Sequence, residues 1–152
     1  MTAPGSTAPL AVTRTDAPLP PGATIGVFGG GQLGRMLGIA ARRLGYRFAV
    51  YSDDHDGPAS HVADRSVQAS YEDEAALEAF ARSVDAVTFE FENVPSVAGE
   101  IAARHCPVRP RGGLLHTVQN RQREKDGLVG IGLPVATFAP VRTADELRAA
   151  AE

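Results

Sequence analysis

The sequence predicts an α/β fold: a parallel sheet with helices on its faces. Three observations carry this. A short apolar run, 24–28, passes directly into a glycine-rich turn and an amphipathic segment. Further apolar runs alternate with segments of helical period, the pattern of parallel strands joined by right-handed crossovers. The length of 152 residues suits one compact domain, with 43% apolar and 22% charged residues, as in ordinary globular chains.

Residues 1–22 are rich in Ala, Pro, Thr and Gly. They hold too little apolar surface to offset the entropy of ordering, and are expected to be a disordered extension. A basic start and a continuous apolar segment are both missing, so they do not read as a signal peptide. From 23 to 118 a Rossmann-like domain is expected. Residues 119–152 read as a helical linker and the start of a further region.

Within the domain, 24–28 is the first strand. Gly29, Gly31 and Gly34 follow at the G-x-G-x-x-G spacing, which provides a tight turn, close backbone approach and close helix–strand packing. Leu33, Met36, Leu37, Ala40 and Leu44 recur as one apolar helix face, expected to pack inward, and Gly45 suits the position past the helix end. Residues 47–51 form the second strand and 52–58 a loop by their turn residues. A short third strand is expected near 66–69. Leu77, Phe80, Ala81 and Val84 repeat at helical spacing.

The fourth strand is read over 85–91. Asn93 or a neighbour is expected to cap a helix reaching about Arg104, with Pro95 in its first turn. A brief strand near 107–108 comes next. Residues 114–131 are helical in two pieces, stopped by Gly132-Leu133-Pro134. Residues 135–141 are expected to be extended. Thr143-Ala144-Asp145-Glu146 is a capping box opening a last helix.

This topology also locates a site. In an open parallel sheet, ligands bind beyond the carboxyl ends of the strands. Segments 29–32, 52–54 and 90–93 fall there and are expected to line one crevice. Gln32 brings a two-sided amide to the helix start. Glu90 and Glu92 are expected to point to opposite faces, one into the crevice and one capping or pairing elsewhere. Asp53 lies about where the ribose-binding acid of a dinucleotide fold sits, although a solvated turn accounts for it equally well. Asp53, Asp54, His55, Asp56 and His61 lack a preorganised ligand spacing, so no metal site is assigned.

The formal charge of −3 gives no basic footprint for nucleic acid, and no apolar run approaches a membrane span. Cys106 is the single cysteine; it excludes an intrachain disulfide, reads as buried and suggests a reducing, cytoplasmic setting.

Four collinear motifs then carry a resemblance. Gly29-Gly30-Gly31-Gln32-Leu33-Gly34-Arg35-Met36 is similar to the amino-terminal signature of the 5-(carboxyamino)imidazole ribonucleotide synthases, ATP-grasp enzymes of purine biosynthesis. So are Pro58-Ala59-Ser60-His61-Val62-Ala63-Asp64, Thr88-Phe89-Glu90-Phe91-Glu92-Asn93-Val94, and Gln119-Asn120-Arg121 with Glu124-Lys125. The resemblance implies a pre-ATP-grasp domain. It also implies an ATP- and Mg²⁺-dependent ligation of bicarbonate to the amine of aminoimidazole ribonucleotide, through carboxyphosphate. By similarity, Gly31, Gln32, Leu33, Glu90 and Asn93 bind that substrate, Arg121 reaches toward ATP, and the full-length enzyme is a homodimer. Lys125 reads as helix support rather than as a catalytic group.

The family's lysine-bearing strand, its glycine-rich loop over the phosphates and its Mg²⁺-holding carboxylates have no counterpart among the 152 residues. No catalytic residue and no metal ligand is assigned here, and this chain alone is expected to be inactive. Three other readings stay open. One is a related ATP-grasp enzyme, such as a formate-dependent glycinamide ribonucleotide transformylase (which characteristically has Glu where Gln32 stands) or a biotin carboxylase. The others are an NAD-binding oxidoreductase module and a binding module without chemistry.

Overall fold

The computed structural model describes residues 18–151. Residues 1–17, where most of the expected extension falls, lie outside the described residues, as does Glu152. The stretch just before the first strand is held against the domain: Tyr46 Oη donates to the Leu19 carbonyl at 2.9 Å, and Gly22 N donates to Gly45 O at 2.7 Å.

Four strands, β1 (Thr24–Phe28), β2 (Arg47–Ser52), β3 (Arg65–Gln68) and β4 (Ala86–Phe89), form one parallel sheet in the order β3-β2-β1-β4. Phe28 stands in register with Tyr51 on one side and Phe89 on the other, so three strands end level with one another. The helices are α1 (Gln32–Arg43), α2 (Glu74–Ala81), α3 (Ser96–Ala102), α4 (Gly112–Val118), α5 (Arg121–Gly130) and α6 (Ala144–Ala151). The brief strand expected near 107–108 is a single parallel bridge, Val87 to Val108.

Strand alternation divides the core into two layers. Phe28, Ala49, Tyr51 and Val87 face Leu77 and Phe80 of α2 and Ala98 and Ile101 of α3. Val27, Phe48 and Val50 face Ala41 of α1 and Ala59. Phe28, Phe48, Tyr51 and Phe80 are fully buried, each contributing roughly 1.5–3 kcal/mol. Cys106 is buried as expected, and burial pushes its thiol up to about 11.

Several expectations are corrected. The apolar face read on α1 is not the buried one: Leu33, Met36, Leu37 and Leu44 are exposed, while Gly34, Gly38 and Ala41 meet the sheet. The helix lies so close to β2 that only small residues fit. A β-carbon added at Gly38 would lie 2.6 Å from the Phe48 ring.

β4 stops at Phe89, two residues short of the expected end, because 90–93 turn away from the sheet. α3 starts at Ser96 with Pro95 at its N-cap, so Asn93 does not cap it. Its regular part ends at Ala102, two residues before the expected Arg104. Residues 135–141 belong to no helix and pair with no strand, which leaves their extended reading unchanged. The capping box at α6 is formed: Glu146 N donates to Thr143 Oγ1 at 3.2 Å, and Thr143 N donates to the Glu146 carboxylate at 3.1 Å.

Candidate functional site

The site begins where β1 ends. Gly29 takes φ +116°, a region open to glycine and strained for other residues, and its N–H donates to Tyr51 O at 2.9 Å. The chain can therefore leave the sheet and enter α1 within three residues. Gly31 is the N-cap of α1 and has no side chain to cap it. The first N–H groups of the helix need acceptors from elsewhere.

Glu90 supplies them from the neighbouring strand end. Its Oε1 accepts from Gly31 N at 2.9 Å and its Oε2 accepts from Gly34 N. Its own N–H donates to Phe28 O at 3.0 Å, which fixes where the side chain departs. A single carboxylate thus spans the helix start, where the macrodipole favours a negative charge. The other side of the turn is closed by the segment after β2: Ala59 N donates to Gly30 O at 2.8 Å, and Gly57 packs against the Gly30 backbone.

The segments 29–32, 52–54 and 90–93 do meet at the carboxyl end of the sheet, although Glu90 fills the space between the first and the last of them. Ser52 is buried and accepts from Asp54 N through its hydroxyl at 3.1 Å, while Asp53 is exposed. Gln32 and Leu33 are exposed on the first turn of α1. Asn93 is exposed in the turn after β4.

The strand geometry behind the expected parting of Glu90 and Glu92 does not hold, although Glu90 does cap a helix. A pleated strand sends residues two apart to the same face, and here neither residue is in the strand. Glu90 turns to the glycines. Glu92 offers its backbone carbonyl to Gln119 Nε2 at 2.6 Å.

Arg121 lies on α5 with its guanidinium paired to Glu124 and its side chain 77% exposed. Among the described residues, it takes no part in the hydrogen bonds that gather at the turn. Lys125 places its ammonium 5.4 Å from the centre of the Phe138 ring, tying α5 to the segment that follows it. In the loop after β2, Asp56 pairs with His61 at 2.7 Å, and this hydrogen bond holds its carboxyl below the usual range.

Two contributors were not nominated from sequence. Gln119 donates to the carbonyls of both Glu92 and Val94, at 2.6 and 2.7 Å, and so clamps the 90–94 turn. It stands in the motif around Arg121, which was the available signal. Phe91 lays its ring over Gly29, within 2.8 Å of where a β-carbon would be. Beside this turn opens a cavity of about 210 Å³, lined by Phe89, Glu90, Phe91, Pro110, Leu114 and Val118 among others. It is apolar, with carboxylate-bearing residues on one edge.

Comparison with known proteins gives a consistent picture. Residues 22–119 match the family described as the ribonucleotide synthetase preATP-grasp domain. The chain is 38% identical over 132 residues to the N5-carboxyaminoimidazole ribonucleotide synthase of Bacillus subtilis, covering 87% of this chain and 35% of that protein. Among solved structures, the ADP complex of an N5-carboxyaminoimidazole ribonucleotide synthetase aligns with a TM-score of 0.79 and 40% identity, over 87% of this chain and 35% of that one. A synthase from Aspergillus clavatus, in complex with ADP and 5-aminoimidazole ribonucleotide, aligns with a TM-score of 0.65 and 32% identity, over 77% and 31%. The chain therefore spans about a third of the length of these proteins.

Proposed function

Because this chain belongs to the ribonucleotide synthetase preATP-grasp domain family, we propose that it forms the acceptor-substrate end of an ATP-dependent ligase. The reaction joins bicarbonate to the amine of 5-aminoimidazole ribonucleotide, giving the 5-(carboxyamino) product for purine biosynthesis in the cytoplasm. The observation that carries this reading is the meeting of the glycine turn, the end of β2 and Glu90 at one edge of the sheet. That is where a parallel α/β fold receives its ligand. The synthase from Aspergillus clavatus, whose complex holds 5-aminoimidazole ribonucleotide, supports the choice of acceptor.

In this reading Gly31 contributes backbone, Gln32 and Leu33 face the ligand from the exposed first turn of α1, and Glu90 and Asn93 face it from the turn after β4. Arg121 reaches toward ATP once it leaves Glu124. Bicarbonate, most of the ATP contacts and Mg²⁺ are assigned to length that the relatives have beyond the part aligned here. Among the described residues, no group of three or more acidic, His or Cys side chains is arranged to hold a metal ion. The complete ligase is proposed to act as a homodimer.

Calorimetric titration of the 152-residue chain with 5-aminoimidazole ribonucleotide is expected to give saturable binding, and NADH is expected to give none. Binding of NADH with enhanced nicotinamide fluorescence, without binding of the ribonucleotide, would replace this reading with that of a dinucleotide module. With ATP, bicarbonate and the ribonucleotide together, the chain alone is expected to release no ADP above background. Steady turnover would overturn the assignment of the ATP chemistry to length outside it.

A further inference from the structure

The glycine fingerprint of this chain is built around its own carboxylate. A β-carbon added at Gly29 would lie 2.2 Å from Glu90 Cγ, one at Gly31 would lie 2.4 Å from Oε1, and one at Gly34 would lie 2.7 Å from Oε2. Glu90 thus lies against all three signature glycines, and at Gly29 the positive φ favours glycine as well. In a dinucleotide-binding turn the same absence of side chains makes room for a pyrophosphate. Here both the space and the backbone donors are committed: Gly31 N and Gly34 N donate to the two oxygens of Glu90. The opposite side of the turn is closed by Gly57 and Ala59 against Gly30. The Phe91 ring covers Gly29.

From this arrangement we infer that Glu90 is a specificity-determining residue: it occupies the oxyanion position of the turn and bars phosphate-bearing groups from it. Two negative charges cannot share one helix start without strong repulsion, and the donors that would stabilise a phosphate are taken. A carboxylate that accepts one N–H on each oxygen retains acceptor capacity on both. The turn therefore suits a neutral or cationic part of a ligand that donates hydrogen bonds. A ligand carrying a phosphate is oriented with that phosphate away from Gly29–Gly34. This orientation rests on the turn being part of the ligand site, whereas the exclusion of oxyanions does not.

Inorganic pyrophosphate is the probe, followed by calorimetry and by amide NMR of the complete chain. The wild-type chain is expected to show no saturable binding and no shift at Gly31 or Gly34. Glu90→Ala, which frees both amides, is expected to bind pyrophosphate saturably, about tenfold or more above the weakest binding the wild-type titration could detect, with the largest shifts at those two amides. Glu90→Gln, which keeps the side-chain volume and loses the charge, carries the test if the alanine variant is unfolded, and is expected to gain binding in the same direction. Wild-type binding that shifts Gly31 and Gly34 would overturn the inference, as would a folded neutral variant that gains nothing. Failure of 5-aminoimidazole ribonucleotide to bind wild type, together with a gain of pyrophosphate binding in the variants, would remove the proposed function and leave the exclusion standing.

Discussion

Gly38 leaves no space between α1 and the ring of Phe48, which is fully buried and cannot swing aside. Replacing it with alanine gains about 1 kcal/mol of helix propensity and costs about 1–3 kcal/mol of overpacking. Gly38→Ala is therefore expected to lower stability by about 1 kcal/mol. Gly113, in α4, has nothing within 4 Å of where its β-carbon would be. Gly113→Ala is expected to raise stability by about 0.5 kcal/mol. Urea unfolding followed by circular dichroism checks both, and two changes of the same sign would contradict the packing argument. At this scale the sequence makes the glycine turn and Glu90 visible as site candidates. It does not reveal that the two fill one another, because the direction of Glu90 depends on β4 ending at Phe89, and strand alternation says nothing beyond that point.

The periodicity of α1 was legible as a helix, but not the face it buries. Four large apolar residues at helical spacing, Leu33, Met36, Leu37 and Leu44, outweigh three small ones on any hydrophobic scale, yet close approach to the sheet selects Gly34, Gly38 and Ala41. The α6 capping box was legible in full, because its groups lie within one turn and depend on no tertiary contact. Its carboxylate also sets a pH dependence. Glu146 accepts from Arg142 N at 2.6 Å and from Thr143 N, and these hydrogen bonds hold its carboxyl below the usual range. A group whose pKa is lowered by folding stabilises the fold above its unfolded value and loses that contribution as pH falls through the folded one. The helix is expected to be capped at neutral pH and to fray only once the pH has fallen below the ordinary glutamate range. In Thr143→Ala, which removes the reciprocal acceptor, fraying is expected at higher pH. Amide exchange of residues 144–148 across this range reads the effect directly; protection independent of pH would rule out the cap as its source.

The order of strands and helices follows from alternation and crossover handedness, which is why the parallel sheet was predictable from one sequence. How burial is shared along the chain was not. Every buried residue among those described lies between Gly26 and Leu115, and from 116 to 151 none is buried. α5 and α6 are held by local pairs such as Arg121–Glu124 and Arg148–Asp145, and exposed pairs of this kind contribute little. The chain therefore has two levels of stability. The sheet opens only with global unfolding, whereas the segment after α4 opens at far lower cost. Among the described residues, brief trypsin treatment is expected to cut first after Arg142, which lies in the exposed stretch between α5 and α6, and next at Arg121, Arg123 or Lys125. A product retaining β1 through α4 is expected to persist, with its parallel sheet intact by circular dichroism. Early cleavage after Arg47 or Arg65, inside the strands, would show instead that the sheet depends on the segment beyond Leu115.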